Sequence, residues 1–290
     1  MKVSNRPLLS FELASAPKSS VLHFMEPVNT SPASLWEQLV ARRYAKPFIV
    51  DTGRRRALQF DLNCEQSAML RHDPYRLALT YTRKMMAFLV FNRTPRRVLM
   101  LGLGGGSLAK FCHRHLPRTA LTTIEINPDV LALREEFQIP ADDGRFRVIC
   151  EDAAAYLAAL RRYKDVILVD ACNHAGIAPE LDTLDFYHHA WRCLSREGVL
   201  VANICGEPYS RAAHLARMRT VFGQAVVALR ARQEDNLVVF AFKKRTPLDE
   251  WEHLERTAVD LKRRLGLDFP RYVRRMALQM RVPERGSLAV

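Results

Sequence analysis

This sequence predicts an α/β fold, a seven-stranded and mostly parallel sheet covered by helices and closed by an antiparallel last strand. Two observations carry that prediction. From Arg97 onward, short β-rich runs alternate with helical segments, the pattern of parallel strands joined by crossover helices. The final two runs, "AVVALR" (225–230) and "NLVVFAF" (236–242), are separated only by "ARQED". That gap is too short for a crossover helix, so these two strands pair antiparallel.

The elements follow in order. Residues 1–45 are Ser- and Pro-rich at first and read as a partly ordered arm with one short helix near Ser34–Arg43. A second unit, 46–91, opens with "PFIVDTGRRRALQFD" (Pro47–Asp61), two β-rich runs either side of a Thr-Gly turn. That is a β-hairpin signal. Its second half, "PYRLALTYTRKMMAFLVF" (Pro74–Phe91), reads as one long linking helix with an apolar face. The sheet domain spans 92–245, with strands at 98–102, 121–126, 146–150, 166–170 and 199–204 before the closing pair. Its helices start at Ser107, Pro128, Ala153, Thr183 and near Arg211. Residues 246–290 form a C-terminal helix and a basic tail. The helix, "PLDEWEHLERTAVDLKRRLGL" (Pro247–Leu267), carries acids early and bases late, which complements its macrodipole.

Composition narrows the class. A chain of 290 residues with 48% hydrophobic content buries one full core with an appendage. Apolar runs such as "MMAFLVF" (Met85–Phe91) are far below the roughly 18 residues of a membrane span. The first twenty residues hold no apolar signal-peptide centre. Six cysteines, at 64, 112, 150, 172, 193 and 205, are scattered without a CxxC pair. They read as the reduced thiols of a cytoplasmic protein rather than a disulfide framework. The net charge of +13 is mostly arginine spread along the chain, with a dense stretch from Arg271 to Arg285. A basic face gains affinity for nucleic acid by counterion release, but no RNP, KH or zinc-finger signature accompanies it. A solvated basic surface is therefore favoured over a nucleic-acid partner. His113–His115 and His188–His189 lack metal-site spacing, and no metal is expected.

In a doubly wound sheet the ligand sits at the C-terminal ends of the strands. Four strand ends carry suitable groups. Gly102, Gly104 and Gly106 form a G-x-G-x-G loop whose missing side chains let backbone approach a ligand. Glu125 ends the second strand, placed to accept from both ribose hydroxyls. Asp152, followed by Ala153 in "CEDAAAY", stands after the third and suits an adenine amino group; taken alone it is equally a helix N-cap. Asp170 ends the fourth. A pyrophosphate-style third glycine is absent, since Ser107 stands there, which favours an adenosyl-sulfonium compound over a dinucleotide. With the antiparallel last strand, the fold class is that of class I S-adenosylmethionine-dependent transferases, Rossmann-like, with a small N-terminal β-hairpin region.

From about Phe48 to Lys244 the chain resembles the spermidine synthase (polyamine aminopropyltransferase) family, in its divergent bacterial spermidine synthase-like branch. "VLMLGLGGGSL" stands where the family has a Gly-Gly-Gly-Asp-Gly-Gly loop, "TTIEIN" where it has the ribose-binding strand, and "CEDAAAY" where it has the adenine-binding Asp. The stretch from "VILVDACNHAGIAPELDTLDF" to "EGVLVANI" is similar to the gate-loop region. The resemblance implies that Gln66 contacts the nucleoside and that Tyr75, at the family's nine-residue spacing, opens a Tyr-His-Glu triplet. It also implies that Asp170 and Asn173 occupy a catalytic Asp-x-x-Asp, and that the protein is a homodimer. Three departures share a direction. The loop Asp is Gly105, the triplet reads Tyr75-Arg76-Leu77, and the second catalytic Asp is Asn173.

Those losses bear on the chemistry. An alkyl amine with pKa about 10.4 costs about 4–5 kcal/mol to deprotonate at neutral pH, and a positioned carboxylate base lowers that barrier. Asp170 can serve; Asn173 can only orient. A buried cation deprived of its charged partner costs about 3–5 kcal/mol. Three readings follow. The first is an aminopropyltransferase that uses decarboxylated S-adenosylmethionine with an altered small-molecule amine acceptor. The second is a methyltransferase using S-adenosylmethionine itself, whose carboxylate Arg76 and Gly105 would accommodate. The third is a catalytically impaired homologue that binds nucleoside or polyamine. Glu180, Asp182 and Asp185 either replace the lost carboxylates or are helix first-turn acids. Cys172 and His174 flank Asn173, but neighbours in a loop point different ways and no orienting group is evident; a structural or gate-loop role is expected of them.

Overall fold

A computed structural model describes residues 8–13, 20–173, 176–231, 233, 235–244 and 251–281. An antiparallel sheet comes first, β1 (Leu9–Leu13), β2 (Ser20–Phe24), β3 (Phe48–Asp51), β4 (Arg55–Gln59) and β5 (Glu65–Leu70), in sequential order. The Thr-Gly hairpin is β3–β4, with Gly53 at φ 74° donating its amide to Asp51 Oδ1 at 2.8 Å. Strands β1 and β2 were not legible in the sequence, and β2 pairs with β3 across the 45/46 boundary expected there. The expected short helix is α1 (Pro32–Val40), capped by Ser31. It covers a small core of Leu22, Phe24, Leu35, Leu39, Tyr44 and Phe48.

The expected long helix over 74–91 is broken. Only α2 (Thr80–Met85) and α3 (Phe88–Phe91) are helical. The carbonyls of Leu77 and Ala78 are taken by the Arg83 guanidinium instead of by helical amides, so the segment after Pro74 stays open.

The seven-stranded sheet contains β6 (Arg97–Leu101), β7 (Ala120–Glu125), β8 (Phe146–Cys150), β9 (Lys164–Val169), β12 (Leu194–Ile204), β13 (Val226–Ala231) and β14 (Asn236–Phe242). A small hairpin, β10 (Cys172–Asn173) with β11 (Gly176–Ile177), follows β9 and leads into a 3₁₀ turn at Pro179–Leu181. Sheet order is β13-β14-β12-β9-β6-β7-β8. The antiparallel strand β14 is inserted between β12 and β13. Alternation sorts each central strand between two cores, with Val98, Met100, Val166 and Leu168 in one. Leu99, Leu101, Ile167 and Val169 lie in the other, as the two-residue strand period demands. The crossover helices are α4 (Ser107–His115), α5 (Pro128–Ala132), α6 (Ala153–Ala159), α7 (Leu184–Cys193) and α8 (Pro208–Phe222). Two further helices, α9 (Trp251–Leu265) and α10 (Phe269–Arg281), close the described chain. The basic tail read after Pro270 is therefore helical as far as Arg281, with Tyr272, Val273 and Met276 buried in the core. Among the described residues no helix is long and apolar enough to cross a membrane.

The N-terminal sheet joins the larger domain through apolar packing of Ile49, Leu58, Ala68 and Met69 and through polar contacts that include those of Arg56 and Ser107. Arg56 of β4 donates to Asp51 and reaches Glu136, to its carbonyl at 2.7 Å and its carboxylate at 2.6 Å. Ser107, at the start of α4, donates to the Ala68 carbonyl of β5 at 3.1 Å.

The glycine loop is built by close packing. Gly102 has φ 100°, and a Cβ there would lie 2.1 Å from the Asp170 carbonyl oxygen. At Gly105 a Cβ would lie 2.9 Å from both the buried Phe137 ring and Ser67 Oγ. The aspartate that the family resemblance places at this position has no room. Gly105→Asp is expected to destabilise the fold by about 1–3 kcal/mol through overpacking. The control is Gly144→Ala, whose Cβ meets nothing within 4 Å and should stay within about 0.5 kcal/mol of the parent. Denaturant midpoints of the two variants check this, and equal midpoints would refute it.

Candidate active site

A cavity of about 880 Å³ opens where the C-terminal ends of β6, β7, β9 and β12 face β4, β5 and the segment after α1. Its floor is Gly102, Leu103 and Gly104. Gly106 does not line it; with φ 68° it is the N-cap of α4. Glu125 is fixed by three backbone amides. Its Oε2 accepts from Leu103 at 2.9 Å and Gly104 at 3.4 Å, and its Oε1 from Asn127 at 3.0 Å. Carboxylate and loop thus set each other's position on the cavity wall.

Asp152 and Ala153 also line the cavity. Asp152 is the N-cap of α6, accepting from the Ala155 amide at 2.7 Å through Oδ1. The structural reading of this residue and its place at the ligand wall are therefore both present. Gln66, on β5, lines the opposite side.

Asp170 lies at the end of β9. Its Oδ1 accepts from Asn203 Nδ2 at 2.9 Å and its Oδ2 from the Tyr81 hydroxyl at 3.2 Å. Burial raises its pKa to about 6, and the two hydrogen bonds pull it the other way. Burial disfavours the ionised carboxylate, while donors to that carboxylate favour it; here burial wins. An acid whose pKa is raised toward neutrality, at a ligand-facing strand end, is suited to moving a proton.

The structure brings Gln66, Gly102, Gly104, Glu125, Asp152, Ala153 and Asp170 to one cavity. It does not bring Tyr75 there. The Tyr75 ring packs under the Arg114 guanidinium, 5.2 Å from its centroid, outside the cavity wall. Tyr81, six residues on, lines the cavity instead. Arg76 is exposed and Leu77 is 2% exposed in the main core, so neither belongs to this cavity. The substitutions read at those two positions leave it untouched. The side chain of Asn173 and the whole of His174 lie outside the described residues.

Of the three later acids, only Glu180 lines the cavity. Asp182 is held by His214 at 2.7 Å and Arg217 at 2.6 Å, and Asp185 sits in the first turn of α7. Among the described residues the wall carries six carboxylates, Asp61, Glu65, Glu125, Asp152, Asp170 and Glu180, against the one cation Arg42, with Glu65 also paired to Arg55. Such a wall favours a positively charged ligand.

Sequence reasoning missed three features. Tyr81 was hidden inside a presumed helix. Asn203 did carry a signal, an amide in the otherwise apolar strand end "VLVANI", and it is 2% exposed. The third is a correction: Cys172 and Cys205, expected as free thiols, form a disulfide. They are 33 residues apart in sequence but follow adjacent strand ends, each two residues beyond a partner in the Asp170–Asn203 hydrogen bond. Cys64, Cys112, Cys150 and Cys193 are free.

Comparison with known proteins fits this geometry. The sequence pattern of the spermine/spermidine synthase domain matches residues 78–228. The polyamine aminopropyltransferase of Chromobacterium violaceum is 36% identical over 229 residues, covering 79% of this chain and 88% of that protein. The polyamine aminopropyltransferase of Neisseria meningitidis serogroup A is 33% identical over 225 residues, covering 77% and 86%. In fold, a probable spermidine synthase from Corynebacterium glutamicum superposes with a TM-score of 0.60 at 18% identity, over 97% of each chain. With more than half of its length matched by one domain family, and relatives at this identity over most of their own length, the chain belongs to the spermine/spermidine synthase family.

Proposed function

We propose that this protein transfers the aminopropyl group of decarboxylated S-adenosylmethionine to a small-molecule amine, with Asp170 as the proton acceptor. The observation that carries this reading is the Asp170 carboxylate, desolvated at a strand end and held by Tyr81 and Asn203 in an acid-lined cavity. Glu125 receives the ribose hydroxyls, Asp152 the adenine amino group, and Gln66 closes over the nucleoside from β5. The glycine loop lets backbone lie against it.

The acceptor amine arrives as a cation, drawn by the carboxylates on the wall. It must lose a proton before its lone pair can attack the carbon beside the sulfonium. An ordinary carboxylate at about 3.9 is some 6.5 units below an amine at about 10.4. Asp170, raised to about 6, narrows that gap to about 4.4 units and is a better-matched base. As the new C–N bond forms, the C–S bond breaks and its electrons stay on sulfur. The sulfonium becomes a neutral thioether, and methylthioadenosine leaves. In the Asp170-Ala-Cys-Asn173 segment one acid does the work for which the family has two. Tyr81, rather than Tyr75, orients it.

The active form of Asp170 is the ionised one, and its pKa lies above the ordinary value. Its competence is therefore lost as pH falls through about 6. The kcat/KM profile is expected to show an acid limb there, falling about tenfold per unit below it. Asp170→Asn should lower kcat by about 10²–10⁴-fold. Asn203→Leu and Tyr81→Phe each remove a donor to the carboxylate and should move the acid limb to higher pH. These are read by mass-spectrometric detection of methylthioadenosine and the aminopropylated amine. A profile flat from pH 5 to 7, or S-adenosylhomocysteine as the only spent nucleoside, would overturn the assignment.

A further inference from the structure

Cys172 and Cys205 both line the catalytic cavity and are half-buried, within reach of small molecules that enter it. Cys172 opens the β10–β11 hairpin, which is closed at its base by the Ala178 amide on the Ala171 carbonyl at 3.2 Å. Cys205 follows β12 directly, and Gly206 beyond it holds φ 95°, a backbone state that only glycine adopts freely. The disulfide therefore ties the hairpin carrying the Asp-x-x-Asn segment to the end of the strand that carries Asn203. Disulfides in intracellular proteins are more often redox-responsive than structural.

We propose that Cys172 and Cys205 are a reversible thiol–disulfide pair that positions the acceptor side of the cleft, clamped when oxidised and loosened when reduced. This rests on the aminopropyl-transfer reading. Opening the pair takes two electrons and two protons from a dithiol, which leaves as its cyclic disulfide. Closing it delivers them to an oxidised dithiol, or to hydrogen peroxide, which leaves as two waters. The nucleoside groups sit on β5 and at the ends of β6, β7 and β8, whereas the tie joins the segments after β9 and β12, so the amine side feels the change most. Both cysteines act by holding the hairpin that follows Asp170 and are positioning residues.

The test uses the full chain, poised with reduced or oxidised dithiothreitol. Alkylation followed by mass spectrometry reads the state of each cysteine, with exposed Cys150 as the internal standard. The expected result is a KM for putrescine about fivefold or more lower in the oxidised form, a size typical of coupled sites. The change in kcat should be smaller, and the affinity for methylthioadenosine by calorimetry equal in both states. The Cys172→Ser/Cys205→Ser variant should show the reduced-state KM and ignore the reductant. Equal KM values in two states that alkylation confirms as different would overturn the proposal. So would failure of the pair to oxidise, or a double variant that still responds. If no amine is aminopropylated in either state, the functional reading fails by itself. Spermidine binding by calorimetry then decides the pair: a difference between the states sustains it, and equal affinity overturns it.

Discussion

The Asp170 carbonyl occupies the space where any side chain on residue 102 would have to go. That close approach of the ends of β6 and β9 is the constraint from which the rest of the site follows. It brings the glycine loop beneath the Asp170 carboxylate and leaves Glu125 within reach of two loop amides. It also sets the Asp170 backbone against the glycine floor of the cavity. A carboxylate on a flexible loop would spend part of its time in water; this one is held at a strand end, where its desolvation persists.

Charge then decides what the site admits. The protein carries a net charge of +13, yet the described cavity wall is the reverse of that surface, with six carboxylates facing one arginine. Global charge is therefore a poor guide to the ligand here; the local field governs. A cationic amine and a sulfonium would repel one another in an apolar pocket. On this wall each finds carboxylates, and the repulsion is relieved further as the sulfonium loses its charge during transfer. Burial keeps one of those carboxylates partly protonated near neutrality, while the others remain acceptors for hydroxyl and amino groups.

Legibility of the fold and the site in the sequence followed the range of the interactions involved. The seven strands of the large sheet were readable because each is an apolar run flanked by polar turns, and the short "ARQED" gap fixed the antiparallel pair. That β14 slips between β12 and β13 depends on packing that no local pattern records. Strands β1 and β2 hid because each is only five residues long and sits among Ser and Pro. Glu125, Asp152 and Asp170 were found because strand ends are a geometric address. Tyr75 was named because it keeps the family's nine-residue spacing from Gln66, and Tyr81 was not singled out within a segment read as one helix. Arg83, by taking the Leu77 and Ala78 carbonyls, broke it. The cysteine pair could not be read at all, since 33 residues of intervening sheet and helix bring the two together.

Arg56 reaches across from the N-terminal sheet to Glu136, in the turn between α5 and β8 of the larger domain, and the ligand cavity opens between the same two parts. The N-terminal sheet has only a small core of its own around Phe24 and Phe48, so its folding leans on this junction. A ligand seated there touches β5 on one side and β6 and β7 on the other, and its binding free energy becomes part of the cohesion between the sheets. At a hundredfold excess over its dissociation constant a ligand adds about 2.7 kcal/mol to the state that binds it. Occupancy of the cleft would thereby add to the stability of the smaller sheet, beyond what Ile49, Leu58, Ala68 and Met69 gain by packing into the main core.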